Sequence, residues 1–397
     1  MTETANGEAQ PRLLKVTRDD QAKWYVADLS DYYSGKYPYV WLRDNCQCSQ
    51  CYNKECLQRE TLTADMDPEV LPASESVVDD GRALEVVWPD QHRSSYRADW
   101  LDCQRFSESQ IDPISHPEYQ VWGAEMNGNI PTFDYASILS TDKVLYEWLR
   151  VLQTTGIALV QRAPKEKGVC RQLAERVAFF RRTIYGEEWQ VESKPNVSSL
   201  GYTSKYLVLH TDLPYYISPP EVQLLHCIEQ AKGKGGENQF VDGWNIVRQL
   251  KAEHPEAYKL LSGVPIDYKN AATDQYPFHM KASRPIIDYD LRGELCMRYN
   301  DPIRAPYMLM PVEKVTEMYK AIKLFNQVIY RPQNLVHHRL TEGEMVTFNN
   351  RRLLHGRSSF EVQAGSSRLL EGGYIDWDEV RSRTRVLREK LYGIKRL

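Results

Sequence analysis

The chain has 397 residues, 42% of them hydrophobic and 26% charged, enough to build a sizeable core in one large domain or two smaller ones. A formal net charge of −4 offers no basic surface for nucleic acid or an anionic membrane, and no apolar run approaches the roughly 18 residues of a membrane helix.

The opening stretch is polar and carries Glu3, Glu8, Asp19 and Asp20. It lacks both the apolar centre of a signal peptide and the acid-poor, Arg-rich face of a mitochondrial presequence, so residues 1–21 read as a disordered leader on a cytoplasmic protein. Residues 22–115 read as an N-terminal domain of short strands and turns, with strands expected over 39–42 and 84–88. Within it Cys46, Cys48 and Cys51 form C-x-C-x-x-C. Clustered cysteines in a large chain without a secretory signal favour a metal over disulfides. Three thiolates occupy three corners of a zinc tetrahedron, and a structural site needs a fourth donor: Cys56, or His92 in the turn after a strand. The competing reading is a set of reduced surface thiols. Cys103, Cys170, Cys227 and Cys296 are scattered singly and read mostly as buried thiols.

A proline- and glycine-bearing stretch, 116–131, reads as a linker, and 132–397 as the catalytic domain. Leu145, Trp148, Leu149 and Leu152 recur at helical spacing from Asp142, and Gly156 ends that helix. A buried strand is expected over 157–160 and a second helix over 168–184. Strands then follow over 222–227, 240–241 and 345–348, interrupted by helices over 244–253 and 312–329. In the latter, Val315, Met318, Tyr319, Ile322 and Phe325 form an apolar stripe. The basic tail from Trp377 is helical and reads as a solvated face, in preference to a localisation signal. The class is mainly β with flanking helices, a sandwich or jelly-roll core.

His210-Thr211-Asp212 places two potential ligands on one side of an extended chain, because side chains two apart share a face. With His355 they give the two-imidazole, one-carboxylate set that holds Fe(II) and leaves other positions open. Arg368 offers a planar fork for a carboxylate of a dicarboxylic cosubstrate. His226, in an apolar strand, reads as a buried, hydrogen-bonded residue, and His254, His337 and His338 as surface residues.

Longer motifs accompany these residues. They include Trp41-Leu42-Arg43-Asp44-Asn45-Cys46, Trp88-Pro89-Asp90-Gln91-His92 and Tyr185-Gly186 with Trp189. Further on come Val222 to Cys227, Gly235-Gly236, Arg352-Leu353-Leu354-His355-Gly356-Arg357 and Leu370-Glu371-Gly372-Gly373-Tyr374. Together, from about residue 38 to the end, they resemble the gamma-butyrobetaine dioxygenase family, to which trimethyllysine dioxygenases are related. The resemblance implies a double-stranded β-helix (jelly-roll) catalytic domain behind a small zinc-binding β domain, in a homodimer. It implies iron at His210, Asp212 and His355, 2-oxoglutarate at Arg368 with ascorbate as a further cofactor, and structural Zn(II) at Cys46, Cys48, Cys51 and His92. Asn238 stands where relatives place Ser or Thr beside the cosubstrate. Tyr185, Trp189, Tyr202 and Tyr374 match a cage around a trimethylammonium group, and Asn300 matches a contact to the substrate carboxylate. Leu213 and Ser199 depart from the pattern, where the vertebrate enzyme has a tyrosine and an asparagine. The expected reaction is hydroxylation of gamma-butyrobetaine to L-carnitine with O2, releasing succinate and CO2. Trimethyllysine or another betaine, or a betaine-binding protein without turnover, are the alternatives. No nucleic-acid or membrane partner is expected.

Overall fold

The computed structural model describes residues 11–106, 112–192, 204–273, 276–361 and 368–393. The chain divides into two units, one taking in the chain up to Asp112 together with its last residues from Tyr392, the other spanning Pro113–Leu391.

The first unit contains two antiparallel three-stranded sheets. Leu13–Asp19, Trp24–Leu29 and Ser34–Pro38 form one, and Ser74–Val78, Ala83–Val87 and Arg93–Arg97 the other. Tyr25, Tyr37, Val86, Trp88 and Tyr96 fill its core. Two expectations are corrected here. The leader is ordered from Leu13–Asp19, because backbone pairing to Trp24–Leu29 supplies what its polar side chains do not; residues 1–10 lie outside the described residues. The strand expected over 39–42 is the helix Tyr39–Asp44. Its buried residues, Tyr39 and Leu42, are three apart, the spacing of a helical face.

The second unit is built on two sheets. The larger runs Glu188–Glu192, Leu369–Ile375, Val222–Glu229, Met345–Asn349, Ile157–Gln161 and Thr132–Asp134, antiparallel except for the last pair. The smaller runs Leu207–His210, Leu353–Arg357, Asn238–Asp242 and Val336–His338, antiparallel throughout. Phe240 of the smaller sheet meets Phe348 of the larger at 5.5 Å between ring centroids, within a core that also takes Leu159, Leu225 and Leu353. On the other side of the smaller sheet, Val241 and Leu354 pack with Leu250, Leu261 and Phe325 of the helices Gly243–Glu253, Pro255–Gly263 and Val312–Ile329. Helices Asp142–Thr154 and Val169–Val177 cover the larger sheet, where the Trp148 indole donates to Thr347 Oγ1 at 3.0 Å. Among the described residues no helix is long and apolar enough to cross a membrane.

Several elements differ from expectation. The helix expected over 168–184 ends at Val177: beyond it, Arg181 N–H donates to the Tyr374 carbonyl, and Thr183 and Gly186 exchange backbone hydrogen bonds. Tertiary pairing overrides local propensity there. The stretch read as a linker is packed, with Trp122 only 3% exposed and its indole donating to the Thr155 carbonyl. In Val312–Ile329, Tyr319 faces solvent while Ala321, Val328 and Ile329 complete the buried side. The basic tail helix Trp377–Tyr392 is not wholly solvated, since Arg381 is buried and paired with Glu294. Helix Pro255–Gly263 and the hairpin Ile266–Ala272 with Phe278–Arg284 were not expected.

Candidate active site

His210 closes its strand and lies directly across from His355 in the register of the smaller sheet, with ring centroids 4.3 Å apart. Asp212 follows two residues later. Its Oδ1 stands 3.2 Å from His210 Nε2 and 3.6 Å from His355 Nε2. His210 Nδ1 lies 2.8 Å from the Val208 carbonyl, a contact that puts the ring proton on Nδ1 and leaves the Nε2 lone pair facing the carboxylate side. Asp212 is fixed from two directions. Its backbone N–H donates to Asn350 Oδ1 at 2.7 Å, while Asn350 Nδ2 donates to the Asp212 and Pro220 carbonyls. The Tyr374 hydroxyl donates to Asp212 Oδ2 at 2.8 Å. One carboxylate oxygen is therefore occupied by a phenol, and the other turns to the imidazoles.

Burial opposes ionisation of Asp212, but His355, His210 and the Tyr374 hydroxyl outweigh it and hold the carboxyl below its usual range. Burial, with His210 beside it, pushes the His355 imidazole down to about 3. A neutral imidazole and an ionised carboxylate are the states in which these groups bind a metal.

The three side chains open on a cavity of about 410 Å³. Arg368 lines it, 4% exposed, with its guanidinium 5.2 Å from the Phe360 ring centre and its pKa lowered by burial to about 10. Arg357, also in the wall, sits 4.8 Å over the same ring. Asn238 lines the cavity and donates from Nδ2 to the His338 carbonyl, and Asn300 lines it too. Aromatic side chains form another part of the wall: Trp189 lies 5.7 Å from Tyr374 and 6.5 Å from Tyr185, centroid to centroid. Gly372 makes room for this packing, since a Cβ there would come within 2.5 Å of the Trp189 ring. Leu213 reaches the cavity with a positive φ of 52°. Tyr202 and Ser199 lie outside the described residues.

Several polar residues in or beside this cavity were not singled out from sequence. Arg357 is two residues past His355, so strand alternation could have placed it on the same face. Tyr215 lines the wall and accepts a hydrogen bond from Asn270 Nδ2, also in the wall, at 3.0 Å; neither carries a sequence signal. Asn350, which braces Asp212, hides in an ordinary-looking turn. Tyr374 was expected only as a cage residue, and its contact with Asp212 is a second role.

In the first unit, His92 Nε2 lies 3.3, 3.6 and 3.5 Å from the sulfurs of Cys46, Cys48 and Cys51. The four donors converge on one point and fit a metal-binding domain. Cys56 is exposed and outside the cluster.

Residues 110–374 match the family described as taurine catabolism dioxygenase TauD, TfdA, and residues 8–102 match the gamma-butyrobetaine hydroxylase-like N-terminal family. The chain is 36% identical to gamma-butyrobetaine dioxygenase of Homo sapiens over 94% of its length and 95% of that protein's. It is 34% identical to gamma-butyrobetaine dioxygenase of Pseudomonas sp. (strain AK-1), over 88% and 89%. It is also 33% identical to mitochondrial trimethyllysine dioxygenase of Gallus gallus, over 89% of this chain and 83% of that one.

Proposed function

This chain belongs to the family of gamma-butyrobetaine and trimethyllysine dioxygenases, within the TauD, TfdA dioxygenases, and from that premise we propose that it hydroxylates gamma-butyrobetaine to L-carnitine. One observation carries the reading: a His-Asp-His cluster, a buried arginine and an aromatic corner share a single cavity. Two imidazole nitrogens and one carboxylate oxygen suit Fe(II) with open positions, so His210, Asp212 and His355 would hold it. Iron with 2-oxoglutarate supplies the oxidising power that inserts an oxygen atom from O2 into an unactivated C–H bond, with succinate and CO2 as coproducts.

The residues provide placement. Arg368 pairs its fork with the far carboxylate of 2-oxoglutarate, in an apolar setting that strengthens the contact, and Asn238 stands beside it. Tyr374 holds the second oxygen of Asp212, so the first is the one that would face a metal. Tyr185, Trp189 and Tyr374 present ring faces to a trimethylammonium group, whose charge they attract without hydrogen bonds, a role that the family resemblance alone extends to Tyr202. Asn300 meets the substrate carboxylate at the other end. Held at both ends, the substrate offers one carbon to the metal side of the cavity.

The same proposal includes a jelly-roll arrangement of the two sheets and a structural zinc at Cys46, Cys48, Cys51 and His92, supported by the converging donors. Ascorbate dependence and a homodimer come with the family resemblance alone, while a cytoplasmic location belongs to the same proposal on the polar make-up of the opening stretch.

Purified protein with Fe(II), 2-oxoglutarate and ascorbate is expected to form succinate and a product one oxygen atom heavier from gamma-butyrobetaine, faster than from trimethyllysine. Equal or better turnover of trimethyllysine would replace the substrate and leave the iron reading standing. Binding of the betaine without succinate would mean a binding protein.

A further inference from the structure

Away from the cavity, a thiol, an imidazole and a carboxyl meet inside the protein. Cys170, His226 and Glu371 bring their donor atoms within 4.8 Å of one another, and all three residues are buried. Strand alternation separates them from the candidate active site. In Val222–Glu229, Gln223 and Leu225 line the cavity, so His226 points to the other face of the sheet. In Leu369–Ile375, Leu370 and Tyr374 line it, and Glu371 points away. Cys170 comes from Val169–Val177, a helix packed against those two strands.

His226 is 0% exposed, and neither of its ring nitrogens has a hydrogen-bond partner among the described residues. Buried polar groups are nearly always partnered, so two orphan nitrogens on one ring, aimed into a cluster of metal donors, call for an explanation. Glu371 is held in place: its two oxygens accept from the Gly168 N–H at 2.9 and 3.0 Å and keep lone pairs to spare.

We propose that Cys170, His226 and Glu371 bind one structural Zn²⁺ ion. Thiolate, imidazole and carboxylate are the donors zinc takes, and the second oxygen of Glu371 completes a set of four. A thiolate and a carboxylate cancel the ion's two charges in an interior that tolerates no net charge. Mg²⁺ and Ca²⁺ want oxygen ligands throughout and fit poorly. Burial raises the Cys170 thiol and the Glu371 carboxyl and lowers His226 to about 4, so loading zinc releases the thiol proton and is favoured by rising pH. The ion would pin Val169–Val177 to the strand that carries Tyr374.

Metal analysis of the full chain, saturated with Zn²⁺ and freed of excess, tests this. Cys170→Ser and His226→Phe are each expected to lose one zinc per chain relative to the parent, whatever the parent holds elsewhere. Equal zinc in the parent and in folded Cys170→Ser overturns the site. Should the variants fail to fold, crystals of the zinc-loaded parent measured at the zinc absorption edge decide. An anomalous peak between Cys170 Sγ and the His226 ring is expected, and its absence overturns the proposal.

Discussion

At the scale of single residues, Tyr374 carries two demands that can be pulled apart. Its ring belongs to the aromatic wall and its hydroxyl to Asp212. Tyr374→Phe keeps the ring and leaves a buried carboxylate oxygen short of a donor, a loss of about 1–3 kcal/mol. If that loss falls on the reacting state, kcat drops roughly tenfold or more while KM for the betaine stays near its parent value. Unchanged kcat and KM would confine Tyr374 to the cage, since the ring that serves it is kept. Arg368 makes the contrasting case. Arg368→Lys keeps the charge but loses the fork, so the 2-oxoglutarate concentration needed for half-maximal turnover should rise by about 10–100-fold, with iron content unchanged. An unaltered cosubstrate requirement would transfer the role to its neighbour over the Phe360 ring, Arg357.

Elements decide how these residues meet, and here sequence and structure part company in an instructive way. The His210, Asp212 and His355 cluster was legible because His-x-Asp is local and because His355 sits in a recognisable motif; the register that pairs His210 with His355 brings the two together. Buried strands and long amphipathic helices were legible too, since periodicity reports burial directly. What could not be read was anything set by a distant partner. Residues past Val177 look helical, yet their backbone is claimed by Tyr374 and by the turn at Gly186. The packed segment around Trp122 looks like a linker, yet it meets the buried Arg352–Asp242 pair. Arg352 donates to both oxygens of Asp242, at 2.8 and 2.9 Å, and to the Gln120 carbonyl, while Asp242 also accepts from the Trp122 N–H. That pair anchors the turn leading into the His355 strand, where removing one partner alone would strand a buried charge. Gly372 is a further case: its need for a bare Cα comes from Trp189, on the neighbouring strand. Gly372→Ala should push Trp189 off Tyr374, raising the betaine KM about tenfold and shifting the tryptophan fluorescence. A variant with parent KM and emission would show that the ring has room elsewhere and that Trp189 does not grip the substrate.

On the scale of the whole molecule, the two units each bury a core of their own, which lets the proposed zinc of the first be tested without touching the proposed iron ligands of the second. The cysteine loop follows helix Tyr39–Asp44, and His92 sits in the turn between Ala83–Val87 and Arg93–Arg97. An ion shared by them ties a helix end to a hairpin tip, and its binding energy is folding energy for that unit. Cys48→Ser, or prolonged chelation of the parent, should therefore speed amide hydrogen exchange in Ala83–Val87 and Arg93–Arg97 by roughly tenfold or more, because local opening then costs less. Met345–Asn349 and Leu353–Arg357, in the core that frames the His-Asp-His cluster, should keep their protection. Had the ion no structural role, neither set of strands would respond. Acceleration of both sets by the same factor would instead mean that the chain opens as one cooperative body, with the zinc holding the catalytic unit closed as well as its own.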